Sequence, residues 1–155
     1  MTVELLSEAT LEWLDEVADR AKAEGLGYAG GIPPAIAWQL FDERKVQLVD
    51  VRSAEERKFV GHVPNSLHVP WATGTSLNRN PRFTRELESK VSKDSFIVLL
   101  CRSGKRSVLA AEAATKAGFT KVFNVLEGFE GEIDDQQQRG HSDGWRHHGL
   151  PWVQD

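Results

Sequence analysis

The stretch FIVLLCRSGKRSVLAAEAATKAG, residues 96–118, decides the fold of this chain. It begins with five apolar residues, as a buried strand does, and a run of small residues over 107–117 favours a helix. Gly118 stands where a residue in the left-handed backbone conformation ends a helix. Cys101, the only cysteine of the chain, lies directly after the strand. The pattern predicts a strand, a loop and a helix, with a thiol at the carboxyl end of the strand.

Strands and helices alternate along the rest of the chain. Short apolar runs with β-branched residues predict strands at 46–51, 66–69 and 121–125. Apolar periodicity and capping residues predict helices at 10–23, with Thr10 as N-cap, at 34–43, at 53–59, with Ser53 as N-cap, and after Pro81. This order predicts an α/β fold in which a parallel sheet carries helices on both faces.

The composition is that of one globular domain. The chain has 155 residues, of which 40% are apolar, and a net charge of −4. An acidic balance argues against nucleic acid as a partner. No apolar run is long enough to span a membrane, and the first residues do not resemble a signal peptide. A single cysteine cannot form an internal disulfide, so we expect a cytoplasmic protein with a reduced thiol.

The loop after Cys101 is rich in positive charge, because Arg102, Lys105 and Arg106 follow within five residues. In parallel sheets, functional sites lie beyond the carboxyl ends of the strands. Unpaired N–H groups at a helix start bind anions, and Gly104 allows several of them to converge. A helix start and nearby cations also favour the thiolate over the thiol. The loop therefore predicts a nucleophilic sulfur that solvent can reach and that loop amides face.

Two other interpretations of the cysteine and the histidines are weaker. Free cysteine is usually a buried structural residue, but such a residue gains nothing from three neighbouring cations and a glycine. The chain has five histidines, yet with one cysteine it cannot supply the thiolates of the usual structural zinc site. We therefore predict neither a metal nor a cofactor.

Three segments together resemble the rhodanese (thiosulfate sulfurtransferase) family, in its single-domain type. They are VDVRSAEERKFVGHVPNS at 49–66, IVLLCRSGKRS at 97–107 and VFNVLEGFEG at 122–131. The resemblance implies a rhodanese-like fold, with a five-stranded parallel sheet, helices on both faces and a short first strand near 28–32. Because the first predicted helix precedes the region of resemblance, we expect an N-terminal helical extension, 1–25. A rhodanese domain, 26–155, follows, and we expect its C-terminal tail to pack on it.

The resemblance also assigns roles to the residues of the loop. Cys101 matches the nucleophile that carries the persulfide. The cradle around the outer sulfur is matched by Arg102, Ser103, Gly104, Lys105, Arg106 and Ser107. In the family, side chains at the positions of Arg102 and Lys105 help to set donor preference. Arg106 matches the arginine that closes the loop.

Two supporting residues follow from the same resemblance, and two segments depart from the family pattern. Asp50 matches the acid that braces Arg106 by an ion pair, and Arg52 follows it in the usual place. Phe129 stands where the family commonly has the second residue of a Gly-Gly pair, and PNS at 64–66 stands where Pro-Gly-Ala is frequent. These departures concern the shapes of loops near the site and leave the nucleophile unchanged.

The implied activity is the transfer of a sulfane sulfur from thiosulfate or another persulfide donor, through Cys101, to an acceptor such as cyanide, a thiol or a sulfur-carrier protein. Three alternatives remain open. Cysteine phosphatases and arsenate reductases of this fold have a C-x5-R loop, whereas residues 101–106 form C-x4-R. A non-catalytic partner-binding module usually lacks the cysteine. A persulfide carrier loaded by another protein has the same chemistry.

Overall fold

The computed structural model describes the backbone of residues 3–154 and the side chains of residues 11–154. Its helices are α1 (Val3–Ala23), α2 (Pro34–Asp42), α3 (Ala54–Val60), α4 (Phe83–Lys90) and α5 (Arg106–Lys116). Its strands are β1 (Gly31–Ile32), β2 (Gln47–Asp50), β3 (Leu67–His68), β4 (Ala72–Thr73), β5 (Asn78–Arg79), β6 (Ile97–Leu100) and β7 (Val122–Val125).

Five of the strands form one sheet in the order β1-β7-β6-β2-β3, and all of its pairs are parallel. The central strand β6 is buried along its whole length between β7 and β2. This burial explains its unbroken apolar sequence, since a central parallel strand is covered on both faces. The predicted five-stranded parallel sheet is confirmed.

Buried side chains on the two faces of the sheet form two separate cores. In β6, Ile97 and Leu99 belong to one core, and Val98 and Leu100 belong to the other, as the two-residue period of a strand requires. Residues of α4 and α5 complete the first core, and residues of α1 and α2 complete the second. Helices therefore lie on both faces, as predicted.

Helix α3 begins with a capping box. The Ser53 hydroxyl accepts a hydrogen bond from the Glu56 amide, and the Glu56 carboxylate accepts one from the Ser53 amide. Each group satisfies a donor that the start of a helix leaves unpaired. The predicted N-cap is confirmed, and the same bonds fix the direction of the Glu56 side chain.

The N-terminal helix begins earlier than predicted. Helix α1 starts at Val3, so Thr10 lies inside it rather than at its start. The prediction relied on apolar periodicity, which begins at Leu11, whereas the glutamates, leucines and alanine at 4–9 are strong helix formers without that period. Leu14 and Ala21 of this helix are buried. The division of the chain at residue 25 stays a prediction.

A short antiparallel hairpin, β4–β5, was not predicted. Its strands have two residues each, which is too short for alternation of polar and apolar residues to be visible. The Arg79 guanidinium lies 3.7 Å from the centroid of the Trp71 ring, and this ring packs edge-to-face on Phe83. The hairpin is thereby attached to the first core.

The segment after β7 packs back on the domain. Trp145 is completely buried and contacts Trp38 edge-to-face at 6.1 Å between ring centroids. Near the end of the chain, His62 and Val153 exchange two backbone hydrogen bonds of 2.8 and 2.9 Å. Among the helices within residues 3–154, none has an apolar stretch of the length and hydropathy that a bilayer crossing needs.

Candidate active site

Cys101 lies at the carboxyl end of β6, beside the carboxyl end of β2. In the register of these strands, Leu100 is the partner of Asp50, so both strands end at the same edge of the sheet. The loop 101–105 follows, and α5 begins at Arg106. The predicted strand, loop and helix are therefore present, and the thiol is at the edge where parallel sheets carry their sites.

Among residues 11–154, two polar groups lie within hydrogen-bond distance of the Cys101 sulfur. The Gly104 amide donates a hydrogen bond to Sγ at 3.1 Å, and the Ser107 hydroxyl lies 3.2 Å from Sγ. Gly104 has a φ of +95°, a conformation that side-chain-bearing residues rarely adopt, and this φ lets its amide point into the loop. The prediction that a loop amide faces the sulfur is confirmed at Gly104.

The sulfur is less accessible than predicted. Cys101 exposes 1% of its surface, because it is packed with the first core at the base of the loop. Solvent therefore has almost no access to the sulfur in this conformation. The expectation of a solvent-facing thiol is wrong for this conformation.

Asn124 is a site residue that the sequence analysis missed. It lies on β7 with 3% of its surface exposed. The Ser107 hydroxyl donates a hydrogen bond to Asn124 Oδ1, and Asn124 Nδ2 donates one to the Gly104 carbonyl at 3.3 Å. The available signal was a single carboxamide in the otherwise apolar strand VFNV, since a buried polar group needs partners.

The acid that braces Arg106 is Glu56, not Asp50. The two terminal nitrogens of Arg106 donate to the two oxygens of Glu56 at 2.7 Å each. Burial alone would raise the pKa of Glu56, but the hydrogen bonds and charge of Arg106 outweigh it and hold this pKa below its ordinary value. Burial likewise opposes the charge of Arg106, and Glu56 outweighs it and raises the pKa of Arg106. The loop is thus closed by a bidentate pair between α3 and α5.

Asp50 cannot brace the loop because its oxygens have other partners. Its carboxylate accepts hydrogen bonds from the Arg52 backbone and guanidinium at 2.8–3.2 Å and from Arg57 at 3.0 Å. Burial would raise the pKa of Asp50, but the charge and hydrogen bonds of Arg52, and then the charge of Arg57, lower it. Asp50 and Arg52 therefore support the site indirectly, because they fix the turn between β2 and α3.

Phe129, the residue that departs from the family pattern, contributes to this support. The Arg52 guanidinium lies 4.2 Å from the centroid of the Phe129 ring and also donates to the Gly61 carbonyl at 2.8 Å. Both Arg52 and Phe129 are fully buried. A buried guanidinium over an aromatic face is stabilised by cation–π attraction, so the ring takes part in holding the buried charge.

The segment after β7 donates backbone hydrogen bonds to the first two residues of the loop, Cys101 and Arg102. The Phe129 amide donates to the Cys101 carbonyl at 2.8 Å, and the Glu130 amide donates to the Arg102 carbonyl at 2.9 Å. Gly128 packs so closely that a Cβ atom there would lie 2.5 Å from the Arg102 carbonyl and 2.6 Å from the Ser103 amide nitrogen. The backbone of the loop is therefore held in place by the backbone of this segment.

The remaining loop cations differ in their surroundings. The Lys105 side chain is 80% exposed, and its ammonium lies 3.8 Å from Glu132, so it is held weakly. The Arg102 side chain is partly buried, and its Nε has no hydrogen-bond partner within residues 11–154. The protein encloses this Nε atom, so it is an unsatisfied buried donor, whereas the exposed Lys105 ammonium is open to solvent.

A groove of about 390 Å³ lies beside the loop, between α3, the β4–β5 hairpin and the segment after β7. Its apolar wall includes Phe59, Val60 and Leu77. Its charged wall includes Arg102, Glu130 and Arg139. Within residues 11–154, no three His, Cys, Asp or Glu side chains lie close enough together to hold a metal ion.

Comparison with known proteins agrees with this geometry. The rhodanese-like domain family matches residues 33–132. An uncharacterised protein of Rickettsia prowazekii is 38% identical over 68% of this chain and 80% of its own. Thiosulfate sulfurtransferase 16, a chloroplastic protein of Arabidopsis thaliana, is 29% identical over 66% of this chain and 76% of its own.

Solved structures agree as well. A crystal structure of a protein from M. tuberculosis superimposes with a TM-score of 0.74 at 44% identity, over 83% of this chain and 99% of that one. A polysulfide-sulfur transferase homodimer from Wolinella succinogenes has the same fold, with a TM-score of 0.56 at 21% identity over 88% of this chain and 86% of that one. The chain therefore belongs to the family of rhodanese-like domains.

Proposed function

We propose that this protein transfers a sulfane sulfur from an anionic donor such as thiosulfate, or from another persulfide, to a thiophilic acceptor through a persulfide on Cys101. The observation that carries the proposal is the hydrogen bond from the Gly104 amide to Sγ, 3.1 Å long, inside a short loop that the Arg106–Glu56 pair closes. Oriented amide dipoles of this kind stabilise negative charge on sulfur without a metal.

The reaction balances without a further reagent. The Cys101 thiolate attacks the outer sulfur of thiosulfate, the S–S bond of the donor breaks, and sulfite leaves with the electron pair. The acceptor, which is cyanide, a thiol or a sulfur-carrier protein, then attacks the outer sulfur of the persulfide and releases the Cys101 thiolate. A thiol that must stay reduced between turnovers fits the cytoplasm.

The charges around the loop support an anionic donor. Arg106 is committed to Glu56, so its charge contributes to the potential of the loop but its terminal donors are occupied. Arg102 is partly exposed and lies in the wall of the groove, where its guanidinium carries a positive charge next to the loop. We propose that Arg102 holds the sulfonate oxygens of the donor, since guanidinium groups suit multi-oxygen anions.

Loop size favours sulfur over phosphorus. A phosphoryl group presents three oxygens that need several converging amides, whereas a six-residue loop suits a single sulfur atom. The presence of Cys101 in this loop also disfavours a module that only binds partners. A carrier that another protein loads is distinguished by its slow reaction with thiosulfate.

Mass spectrometry of the intact protein tests the proposal. After incubation with millimolar thiosulfate, the wild type gains one sulfur atom, about 32 Da, and cyanide removes it again. Cys101→Ser does not gain this mass. A wild type that stays unmodified by thiosulfate and by a persulfide donor, but hydrolyses an aryl phosphate, contradicts sulfur transfer and supports a phosphatase.

A further inference from the structure

The hydrogen-bond chain behind the sulfur has fixed donor directions. The Gly104 carbonyl can only accept, so the group of Asn124 that faces it is the NH₂ group, and Oδ1 faces Ser107. A carboxamide oxygen also can only accept, so the single hydroxyl hydrogen of Ser107 points to Asn124. In this arrangement Ser107 turns a lone pair, not a hydrogen, to Cys101 Sγ.

This arrangement matches one protonation state of the cysteine. A neutral thiol donates its hydrogen to the Ser107 oxygen, which lies 3.2 Å from Sγ. The thiol, the Ser107 hydroxyl and the Asn124 carboxamide then each have a hydrogen-bond partner. A thiolate or a persulfide anion has no hydrogen to donate and would face a lone pair. It gains a hydrogen bond from Ser107 only if the hydroxyl turns away from Asn124.

We propose that Asn124 is a positioning residue that competes with the sulfur of Cys101 for the hydroxyl hydrogen of Ser107. In the resting thiol, Asn124 holds the hydrogen; when the sulfur becomes negative, the hydroxyl rotates and donates to it. The inference deepens the proposed sulfur transfer and rests on it only in calling the anion a persulfide. The competition itself concerns the free thiol, so it is testable without any donor.

Burial makes the competition effective. Ser107 is completely buried and Asn124 nearly so, and water is therefore a poor substitute for either partner. The carboxamide also donates to the carbonyl of Gly104, the residue whose amide donates to the sulfur. Asn124 thus connects the two groups that contact Sγ.

The test is the pH profile of Cys101 alkylation by iodoacetamide, which reports one site because the chain has a single cysteine. Asn124→Ala leaves the Ser107 hydroxyl free for the sulfur. We expect the midpoint of the profile to move to lower pH by the amount that corresponds to an about fivefold larger thiolate fraction below it, as the loss of one competing hydrogen bond predicts. Using the pH midpoint rather than the absolute rate removes differences in access to the buried sulfur.

Charged groups on the elements around Cys101 also influence this profile. They are Arg102, Lys105 and Arg106 of the loop, Asp50 and Arg52 after β2, Glu56 of α3, and Glu127 with its partner His148 beyond β7. None of them is changed in the variants, so their contributions cancel in the comparison.

The double variant separates positioning from a general structural effect. Ser107→Ala removes the contested hydrogen and moves the profile to higher pH. If Asn124 acts through Ser107, adding Asn124→Ala to Ser107→Ala produces no further movement. The proposal is overturned if Asn124→Ala moves the midpoint of the alkylation profile equally in the wild type and in Ser107→Ala. It is also overturned if Asn124→Ala alone does not move the midpoint.

A second variant and a spectroscopic measurement distinguish the proposed effect from a folding defect. Asn124→Leu keeps the volume of the strand residue and is expected to behave as Asn124→Ala does. The S–H stretching band of the wild type in Raman spectra is expected at the lower frequency of a donating thiol and to rise in Ser107→Ala. A wild-type band at the frequency of a free thiol would contradict the assigned direction of the hydrogen bonds from Cys101 through Ser107 to Asn124.

Discussion

At the scale of single residues, backbone contacts determine the shape of the cysteine loop. Gly128 has a φ of +69°, and its Cα faces the peptide between Arg102 and Ser103. No side chain fits there, because a Cβ would overlap the backbone of the loop. The position therefore requires glycine for two independent reasons, conformation and space.

Gly128→Ala tests this requirement. We expect it to lower the free energy of unfolding by more than the roughly 1–2 kcal/mol that a left-handed alanine costs, and to slow persulfide formation, because the loop must shift. Gly149→Ala is the matched control, since φ there is +71° and nothing lies within 4 Å of its Cβ position. Chemical denaturation and the rate of mass gain with thiosulfate check both variants; equal losses would show that crowding at Gly128 is unimportant.

Local signals in the sequence predicted part of the site, and the rest depends on contacts between distant residues. Cys101, Gly104 and the N-cap Ser53 were predicted because strand ends, turns and caps depend on neighbours in the chain. The pair of Glu56 with Arg106 joins residues 50 positions apart, and no periodicity marks it. Asn124 was missed for the same reason, because its partners belong to another segment.

At the scale of elements, α3 connects the strand β2 to the cysteine loop. Its capping box fixes Glu56 in the first turn, and Glu56 reaches Arg106 at the start of α5. The fold explains why Glu56 and not Asp50 pairs with Arg106. Asp50 ends β2, and its carboxylate is already paired with Arg52 of the following turn and with Arg57 of α3. The helix was predicted from sequence, but its contact with α5 was not.

Glu56→Gln tests the connection between α3 and α5. The variant is expected to lose about 1–3 kcal/mol of stability at neutral pH, as for a hydrogen bond to a charged group. The pKa of Glu56 in the folded protein lies below its ordinary value of 4.5, so its contribution is present above pH 4.5 and is lost as pH falls through the lower folded-state pKa. The difference in unfolding free energy between wild type and variant therefore shrinks on acidification.

The control for this prediction is Glu88→Gln, which removes an exposed pair with Lys93 at 3.6 Å. An exposed pair contributes little, so we expect a change below about 1 kcal/mol. Denaturant unfolding followed between neutral and acid pH compares the two. A difference for Glu56→Gln that stays constant as pH falls would contradict the role of its charge.

At the scale of the whole molecule, the sheet separates two cores, and α1 helps to close the second one. The alternation of strands and helices predicted this layout, because it depends on order along the chain. Packing of the C-terminal tail on the domain was expected from the sequence, but the contact of Trp145 with Trp38 was not, since the identity of the partner depends on three-dimensional packing. We propose that the extension 1–25 shields the second core of the domain 26–155 from solvent.

Leu14→Ala tests whether α1 shields the second core. Leu14 is completely buried, so the variant is expected to lose about 2–4 kcal/mol of stability through lost burial and a residual cavity. Leu26→Ala, at a leucine that is 43% exposed, is the control and is expected to change stability by less than about 0.5 kcal/mol. Thermal or denaturant unfolding gives both values, and equal values would show that α1 does not close the core.

The groove beside the loop exists only in the assembled molecule, because α3, the hairpin and the segment after β7 each supply part of its wall. Its volume of about 390 Å³ lies in the range of pockets for small organic molecules. Cyanide and thiosulfate are too small to fill it, whereas an organic thiol reaches both its apolar wall and its charged wall. We therefore expect the groove to affect the discharge of the persulfide to bulky acceptors.

Phe59→Ser and Leu77→Ser test the groove without disturbing the core, since Phe59 is 70% exposed and Leu77 is 36% exposed. With glutathione as the acceptor probe, each variant is expected to raise KM about three- to tenfold, as the loss of one apolar contact predicts. With cyanide as the acceptor, KM and kcat of both variants are expected to match those of the wild type, because cyanide is too small to contact the apolar wall of the groove. Leu26→Ser, an exposed leucine outside the groove, should match the wild type with both acceptors, and an unchanged KM for glutathione in both groove variants would show that the acceptor binds elsewhere.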